Sequence, residues 1–230
     1  MKILFMCRKQ VSANLLRFLT KQDHIEIIGV LTDSHLQGSP TTAAAQELGL
    51  PLYTFDTALE AMREGRLKYD LGLSVLYWRK LRDEFLSIPT LGTINFHPAL
   101  LPEYKGTGGY NLAIMDELNE WGNTAHYVDA SIDTGEIIEV DRFPIDAETE
   151  TAQSLERKTM QALEDFARRI ITRAIESKTK LPTTPNIGGR YVSRDEMEAM
   201  KQIHDGDNIE KKIRAFWFPP YDGAYVEING

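Results

Sequence analysis

Short, continuous apolar runs separated by segments of helical length are the feature that most limits how this chain can fold. Each run is long enough for a strand buried on both faces, as in the middle of a parallel sheet. The runs occupy residues 3–7, 25–31, 71–76 and 93–97, and helices are predicted up to residue 19 and at 41–48, 57–63, 81–86 and 110–120. This alternation predicts an α/β, Rossmann-like fold with a doubly wound, mostly parallel sheet.

The rest of the chain continues this pattern and changes character near residue 180. Further strands are predicted at 52–53, 124–128 and 136–143, and one long helix at 151–177. The proline-rich stretch 181–185 has the composition of a linker. We therefore expect a main domain over residues 1–180 and a small α+β subdomain over 181–230, with a helix at 208–216 and a strand at 224–228.

Charge and composition exclude several classes of function. The 230 residues carry a formal net charge of −8, which disfavours nucleic acid as the main partner, because phosphate binding needs a basic face. No apolar run approaches the length of a membrane span, so we expect no membrane partner and a cytoplasmic location. The single cysteine, Cys7, lies in an apolar strand and allows neither an intrachain disulfide nor a thiolate metal cluster.

The segment Asn95-Phe-His97-Pro98 carries the first candidate catalytic residues. Asn95 and His97 are two positions apart, so an extended backbone points both side chains to one face. Pro98 cannot continue a central strand, which leaves the amide and the imidazole at the carboxyl end of the strand. Open α/β sheets bind ligands at that edge. An asparagine there offers a donor to a developing oxyanion, and a histidine moves a proton near neutral pH.

A second segment, residues 126–136, supplies a carboxylate from the loop Asp133-Thr-Gly. The first strand ends at Arg8 and Lys9, without the glycine-rich fingerprint of dinucleotide or nucleoside triphosphate sites. The two cations are compatible with solvated charges and with contact to a phosphate, and the sequence leaves both interpretations open.

These two motifs, residues 95–106 and 126–138, resemble those of the 10-formyltetrahydrofolate-dependent formyltransferases. That family includes glycinamide ribonucleotide transformylase, methionyl-tRNA formyltransferase and the nucleotide-sugar N-formyltransferases, and the resemblance extends over most of residues 1–180. The segments 191–195 and 213–224 resemble the region that follows the catalytic domain in the tRNA and sugar enzymes. A short, acidic tail favours the sugar enzymes, because the tRNA enzyme continues into a longer and usually basic domain.

The resemblance implies roles for residues of this chain. Asn95, His97 and Asp133 match the catalytic residues: His97 takes up the proton of the acceptor amine or binds the oxyanion, Asn95 donates to the same oxygen, and Asp133 orients His97. His126 would support them. No metal is required. The formyl donor implied is N10-formyltetrahydrofolate.

The resemblance also indicates which residues bind the two substrates. Those expected at the folate are Tyr77, Trp78, Arg79, Leu81, Ile132, Asp133 and Glu136. Those expected at the acceptor nucleotide are Arg8, Lys9, Tyr104, Lys105, Trp217 and Tyr221. Packing under a loop is an equally good explanation for the aromatic residues after the fourth strand, and a plain tail core is the alternative for Trp217 and Tyr221. Because the sugar enzymes are commonly dimers, we expect a homodimer, with residues 216–218 as a candidate interface.

The leading hypothesis is therefore an N-formyltransferase acting on a nucleotide-linked amino sugar such as a dTDP-4-amino-4,6-dideoxyhexose, of the kind used in lipopolysaccharide or O-antigen biosynthesis. A GDP- or UDP-linked sugar, methionyl-tRNA and glycinamide ribonucleotide are alternative acceptors. Formyltetrahydrofolate hydrolase, with water as acceptor, is a second enzyme class. A folate- or nucleotide-binding module without activity is the non-enzymatic alternative, and retention of all three catalytic residue types argues against it. The sequence does not separate the sugars, the amino position or the base.

Overall fold

The computed structural model describes residues 1–228 and contains one large sheet and one small sheet. The strands are β1 (Lys2–Cys7), β2 (Glu26–Leu31), β3 (Leu52–Tyr53), β4 (Leu71–Val75), β5 (Thr93–His97), β6 (Tyr104–Gly106), β7 (Glu120–Tyr127), β8 (Ile137–Pro144) and β9 (Arg190–Val192). The helices are α1 (Lys9–Leu19), α2 (Pro40–Glu47), α3 (Phe55–Arg63), α4 (Asp83–Ser87), α5 (Gly109–Met115), α6 (Ala152–Ser177), α7 (Arg194–Ala199) and α8 (Ile209–Phe216).

The large sheet confirms the predicted Rossmann-like fold. Its seven strands lie in the order β3-β2-β1-β4-β5-β7-β8. The first five strands pair in parallel, whereas β7 pairs antiparallel with both β5 and β8. The carboxyl ends of β1, β4 and β5 therefore lie side by side at one edge, and the amino half of β5 faces the end of β7.

Apolar side chains cover both faces of this sheet, as a doubly wound fold requires. On one face, α1 and α6 pack against residues such as Phe5, Ile94 and Phe96. On the other, α3 and α4 pack against Leu4 and Met6. The long helix α6 begins with a capping box in which Thr151 and Ser154 satisfy each other's backbone N–H groups. No helix within residues 1–228 is long and apolar enough to cross a bilayer.

Two predicted elements in the middle of the chain differ from the structure. The helix expected at 110–120 ends at Met115, because Glu117 adopts a left-handed φ of 54° and turns the chain into the next strand. Strand β7 accordingly begins at Glu120 rather than at 124. The first residues of β7 pair with β8, and Trp121, which is fully buried, lies opposite Phe143.

The tail also departs from its predicted elements. Only Tyr225, by a single bridge to Gln202, takes part in β pairing within 224–228, because no neighbouring strand lies alongside this exposed segment in the part of the chain described here. The strand of the tail is β9 instead, which pairs in parallel with β6. The last two residues of the predicted subdomain, 229 and 230, lie outside the described residues.

The tail packs closely on the main domain. Ala215 and Phe216 of α8 are buried against Ile114 of α5. The backbone N–H of Ile137 donates to the carbonyl oxygen of Thr184, and the N–H of Thr184 donates to the carbonyl oxygen of Ile137. The division of the chain at residue 180 remains a prediction. Its two parts share contacts at Leu181, Thr183 and Thr184 of the linker.

Removing the aromatic ring that anchors α8 is expected to weaken the structure strongly. Because Phe216 is 2% exposed, Phe216→Ala should lower the free energy of unfolding by about 3 kcal/mol. The matched control is Ile213→Ala on the same helix, which is 46% exposed and should cost less than about 1 kcal/mol. Urea unfolding followed by circular dichroism measures both. Equal losses would show that the tail does not contribute to the cooperative core.

Candidate active site

Four polar side chains meet at the carboxyl edge of the sheet, where β4 and β5 end beside β7. Asn95 and His97 come from β5, His126 from β7, and Asp133 from the loop between β7 and β8. The Nδ1 atom of His97 lies 3.5 Å from Oδ2 of Asp133, and Nε2 of His126 lies 3.6 Å from its Oδ1. The Nδ2 atom of Asn95 lies 3.0 Å from His126 Nε2. The three residues predicted to be catalytic are therefore brought together.

The imidazole of His97 is set up as a neutral base. Its Nε2 lies 2.9 Å from the carbonyl oxygen of Tyr104, and a carbonyl only accepts, so Nε2 carries the hydrogen. In the neutral ring the lone pair is then on Nδ1, the atom nearer Asp133. Burial lowers the pKa of His97 below its ordinary value, and this outweighs the Asp133 carboxylate and the Tyr104 carbonyl, which raise it.

Asp133 is held as a carboxylate although its side chain is almost buried. The backbone N–H of Gly106 donates to its Oδ2 at 2.9 Å. Burial by itself raises the pKa of a carboxyl group, but this N–H and the positive charge that the His97 and His126 rings carry when protonated outweigh it and hold the pKa of Asp133 at about 2. A fixed negative charge therefore lies next to the basic nitrogen of His97 and stabilises the ring once it is protonated.

The backbone of the Asp133 loop is fixed by two further residues. Asn186, from the segment after the linker, donates from Nδ2 to the carbonyl oxygens of Asp133 and Gly135 at 3.0 and 2.9 Å. A Cβ atom on Gly135 would lie 1.7 Å from the carbonyl oxygen of Tyr127, so only glycine allows the loop to approach β7 this closely.

The same edge holds an unusual share of left-handed backbone. Lys9 (φ 68°), the first residue of α1, and Leu76 (φ 58°) and Asp133 (φ 55°), in the loops after β4 and β7, all follow strands that border the site. Such a conformation costs a residue with a side chain about 1 kcal/mol relative to the ordinary regions.

A cleft opens beside Asn95 and matches most of the residues predicted at the folate. It has a volume of about 540 Å³, is open to solvent, and is lined by residues of the β4–α4 loop and the Asp133 loop: Tyr77, Trp78, Arg79, Leu81, Ile132 and Asp133, with Ser74, Asn95 and His126 at its inner end. Trp78 lies between the rings of His35 and Tyr77, at centroid distances of 5.2 and 4.8 Å. The aromatic residues after β4 thus form a wall of the cleft.

Glu136 lies outside this cleft. Beyond Gly135 the chain turns into β8, the backbone oxygen of Glu136 accepts from Tyr127 N–H, and its carboxylate accepts from the Thr183 hydroxyl at 3.0 Å.

The residues predicted at the acceptor are only partly free to contact a ligand. Arg8 donates from Nε to the Leu76 carbonyl at 2.6 Å, and Lys9 pairs with Glu156 of α6 at 2.5 Å. Lys105 is buried and donates to the carbonyl of Gly188 at 2.6 Å, which places its ammonium group against the tail.

The aromatic residues predicted at the acceptor also differ in how far they are exposed to a ligand. Tyr104 donates to Asp116 at 3.0 Å, whereas Trp217 and Tyr221 are more than half exposed. The carbonyl oxygen of Trp217 accepts from the N–H of Gln153, which brings this part of the tail to the first turn of α6, close in sequence to Glu156 and hence to Lys9. Lys9 and Trp217 thus both contact the first turns of α6, whereas Lys105 contacts the tail at Gly188.

Sequence reasoning missed three residues that hold the site together: Ser74, Gly106 and Asn186. Ser74 was detectable, since it is the single polar residue in the apolar run Leu71-Gly-Leu-Ser-Val. Gly106 acts through its backbone N–H, and Asn186 acts through a contact with a segment more than 50 residues away. Neither contact can be recognised from the local sequence pattern.

Comparison with known proteins agrees with this geometry. Residues 1–174 match the model of the formyl transferase family. A methionyl-tRNA formyltransferase of Lysinibacillus sphaericus is 28% identical, over 99% of this chain and 75% of its own length. The N-formyltransferase of Helicobacter canadensis, solved in complex with folinic acid and dTDP-3-aminofucose, has a TM-score of 0.78 and 25% identity, covering 100% of this chain and 84% of its own. A 4-N formyltransferase of Francisella tularensis shares the fold at a TM-score of 0.80 and 20% identity, covering 98% and 91% of the two chains.

The charges around His97 predict how its pKa changes when Asp133 is replaced. In the intact protein its midpoint is expected below the ordinary value near 6.5. In Asp133→Asn the midpoint should fall further, because the carboxylate that favours the protonated ring is gone. Histidine ring resonances followed by NMR across pH measure both midpoints. The control is Asp129→Asn, an exposed carboxylate of the same loop, which should leave the midpoint unchanged, and a rise in Asp133→Asn would contradict the assignment.

Proposed function

The chain belongs to the formyl transferase family, and from this premise we propose that it transfers the formyl group of N10-formyltetrahydrofolate to the amine of a nucleotide-linked amino sugar, with a dTDP-4-amino-4,6-dideoxyhexose as the first candidate. The observation that carries the proposal is the cluster of Asn95, His97 and Asp133 at the inner end of an aromatic-walled cleft. A cytoplasmic location and a role in making lipopolysaccharide or O-antigen sugars belong to the same proposal.

The cleft suits a folate in shape and in chemistry. Tyr77 and Trp78 offer flat apolar surface for a planar ring, and the inner end carries the polar atoms of Ser74 and Asn95. A second cavity of about 840 Å³ shares Lys80 and Leu81 with the cleft and is lined by Arg63, Lys80 and Arg82 together with Asp83 and Glu84. We assign the glutamate end of the folate to this cationic mouth, which leaves the pterin inside. The bound folate would supply an activated formyl carbonyl.

His97 takes the proton that the acceptor nitrogen loses. The neutral amine attacks the formyl carbon through its lone pair, and its nitrogen gives up one proton as the new C–N bond forms and the bond from the formyl carbon to N10 breaks. Nδ1 of His97 is the basic atom, because Nε2 is already bonded to Tyr104. Its lowered pKa keeps it unprotonated near neutral pH, and the same ring then returns the proton to the departing nitrogen.

Asn95 and Asp133 stabilise the charges that develop. One N–H of the Asn95 amide faces His126, which leaves the other to bind the formyl oxygen as it gains negative charge. Losing a donor of this kind typically raises a barrier by about 3 kcal/mol. Asp133 stabilises the imidazolium that His97 becomes and keeps the ring in one orientation.

The acceptor is proposed from two observations. The Helicobacter canadensis structure, which matches the whole of this chain over 84% of its own length, was solved with dTDP-3-aminofucose. The net charge of −8 disfavours a tRNA, whose backbone needs a basic surface. Methionyl-tRNA stays as the second candidate, because the sequence relatives at 28% identity are enzymes of that name.

A formyl-transfer assay with N10-formyltetrahydrofolate and a panel of nucleotide amino sugars tests the proposal. One sugar is expected to be formylated, and His97→Asn should lower kcat by about 10³-fold because the proton has no acceptor. The control is His24→Asn, an exposed histidine at the opposite edge of the sheet, which should retain full activity. Folate release without formylated product would indicate a hydrolase, and formylation of methionyl-tRNA alone would replace the sugar as acceptor.

The cationic mouth predicts a selective effect on the donor. Replacing Lys80 and Arg82 together by alanine should raise the KM for the folate about 5-fold, the value expected when two solvent-screened ion pairs are lost. The KM for the sugar should not change. Lys21→Ala, at the far end of α1, is the control. An equal rise in both KM values would place the folate elsewhere.

A further inference from the structure

We propose that Ser74 is a positioning residue that fixes the amide of Asn95 with its carbonyl towards the sheet and one N–H towards the cleft. The geometric argument stands on the structure alone. Its consequence for catalysis depends on the proposed function, in which that N–H binds the formyl oxygen.

A backbone carbonyl fixes which ring nitrogen of His126 carries the hydrogen. Nδ1 of His126 lies 2.8 Å from the carbonyl oxygen of Tyr127. The oxygen has no hydrogen to give, so Nδ1 must carry one, and the neutral ring presents a lone pair at Nε2. His126 is 2% exposed, and the ring is enclosed in this orientation.

The lone pair of His126 decides which end of the Asn95 amide faces it. The atom 3.0 Å from Nε2 must be a donor, and it is Nδ2 of Asn95. If the amide were turned over, two acceptors, Oδ1 and Nε2, would face each other at this distance. The carboxylate of Asp133 does not compete for the position, because its oxygen is 3.6 Å from Nε2, beyond the length of a hydrogen bond.

Ser74 holds the other end of the amide. Its hydroxyl donates to Oδ1 of Asn95 at 2.8 Å, and the two residues lie directly opposite each other in the parallel pairing of β4 and β5. Ser74 is itself 4% exposed, so the bond is shielded from water and strengthened accordingly. With Oδ1 bound to Ser74 and one hydrogen of Nδ2 bound to His126, the second hydrogen of Nδ2 is the donor of the amide that remains free.

This free N–H belongs to the inner end of the cleft, which Ser74, Asn95 and His126 line together. Without the serine hydroxyl, Oδ1 loses its donor, and the amide is held at one end alone, by the bond from Nδ2 to His126. The donor to the formyl oxygen would then be present only part of the time, which lowers the rate of transfer without weakening the binding of either substrate.

The experiment is a double-mutant cycle between Ser74 and Asn95, measured as kcat for formyl transfer. Ser74→Ala is expected to lower kcat about 10-fold, the effect of one hydrogen bond, with both KM values unchanged. In the Asn95→Ala background the same change should have no further effect, because Ser74 acts through the amide that is missing. Ser74→Thr restores the hydroxyl and should recover most of kcat.

The matched control is Thr93→Val. Thr93 is a buried hydroxyl on β5, two residues before Asn95, and it donates to the backbone oxygen of Phe85 at 3.0 Å, away from the cleft. Its loss should reduce stability and leave kcat unchanged. An equal fall of kcat in Thr93→Val, or an undiminished effect of Ser74→Ala in the Asn95→Ala background, would overturn the proposal.

A second measurement separates this inference from the proposed function. In ¹⁵N-labelled protein, the side-chain amide signals of Asn95 are identified by their absence in Asn95→Asp. Ser74→Ala should shift and broaden them, whereas Thr93→Val should not. If the wild-type protein formylates no amine, the proposed function fails and the NMR result still decides the role of Ser74. Unmoved signals in Ser74→Ala would overturn it.

Discussion

A carboxylate that stays ionised while nearly buried is the constraint on which the rest of this structure depends. Asp133 keeps its charge because His97, His126 and the N–H of Gly106 surround it, and these groups come from three different strands. Desolvating an unpaired carboxylate costs several kcal/mol, so the strands have to be in place before the charge is tolerated.

The tail helps to hold in place the backbone around Asp133. Strand β9 pairs with β6, the strand that ends at Gly106, and Asn186 binds the backbone on both sides of Thr134. Residues beyond 180 therefore support a cluster whose four side chains all come from residues before 180. These contacts tie a largely exposed tail to that edge of the sheet.

The sequence predicted those parts of the fold that depend on local pattern. The buried strands and the positions of Asn95 and His97 followed from apolar runs and from Pro98, and the grouping with Asp133 followed from the family resemblance. Pairings between distant segments were not predictable in this way. The β6–β9 pair joins two three-residue stretches whose paired residues are 86 positions apart, and neither has the alternation of a strand. The helix expected at 110–120 was predicted too long, because its end at Met115 depends on a single left-handed residue, Glu117.

Left-handed backbone at three non-glycine residues has a consequence for how this edge of the sheet can change. Lys9, Leu76 and Asp133 occupy a conformation in which glycine would be the less strained choice, so each position gives up some folding free energy to keep its side chain. Glycine at these sites would relieve the strain and would remove the side chains, including the Asp133 carboxylate around which the cluster is built. At this edge of the sheet, a relaxed backbone and a retained carboxylate therefore exclude each other.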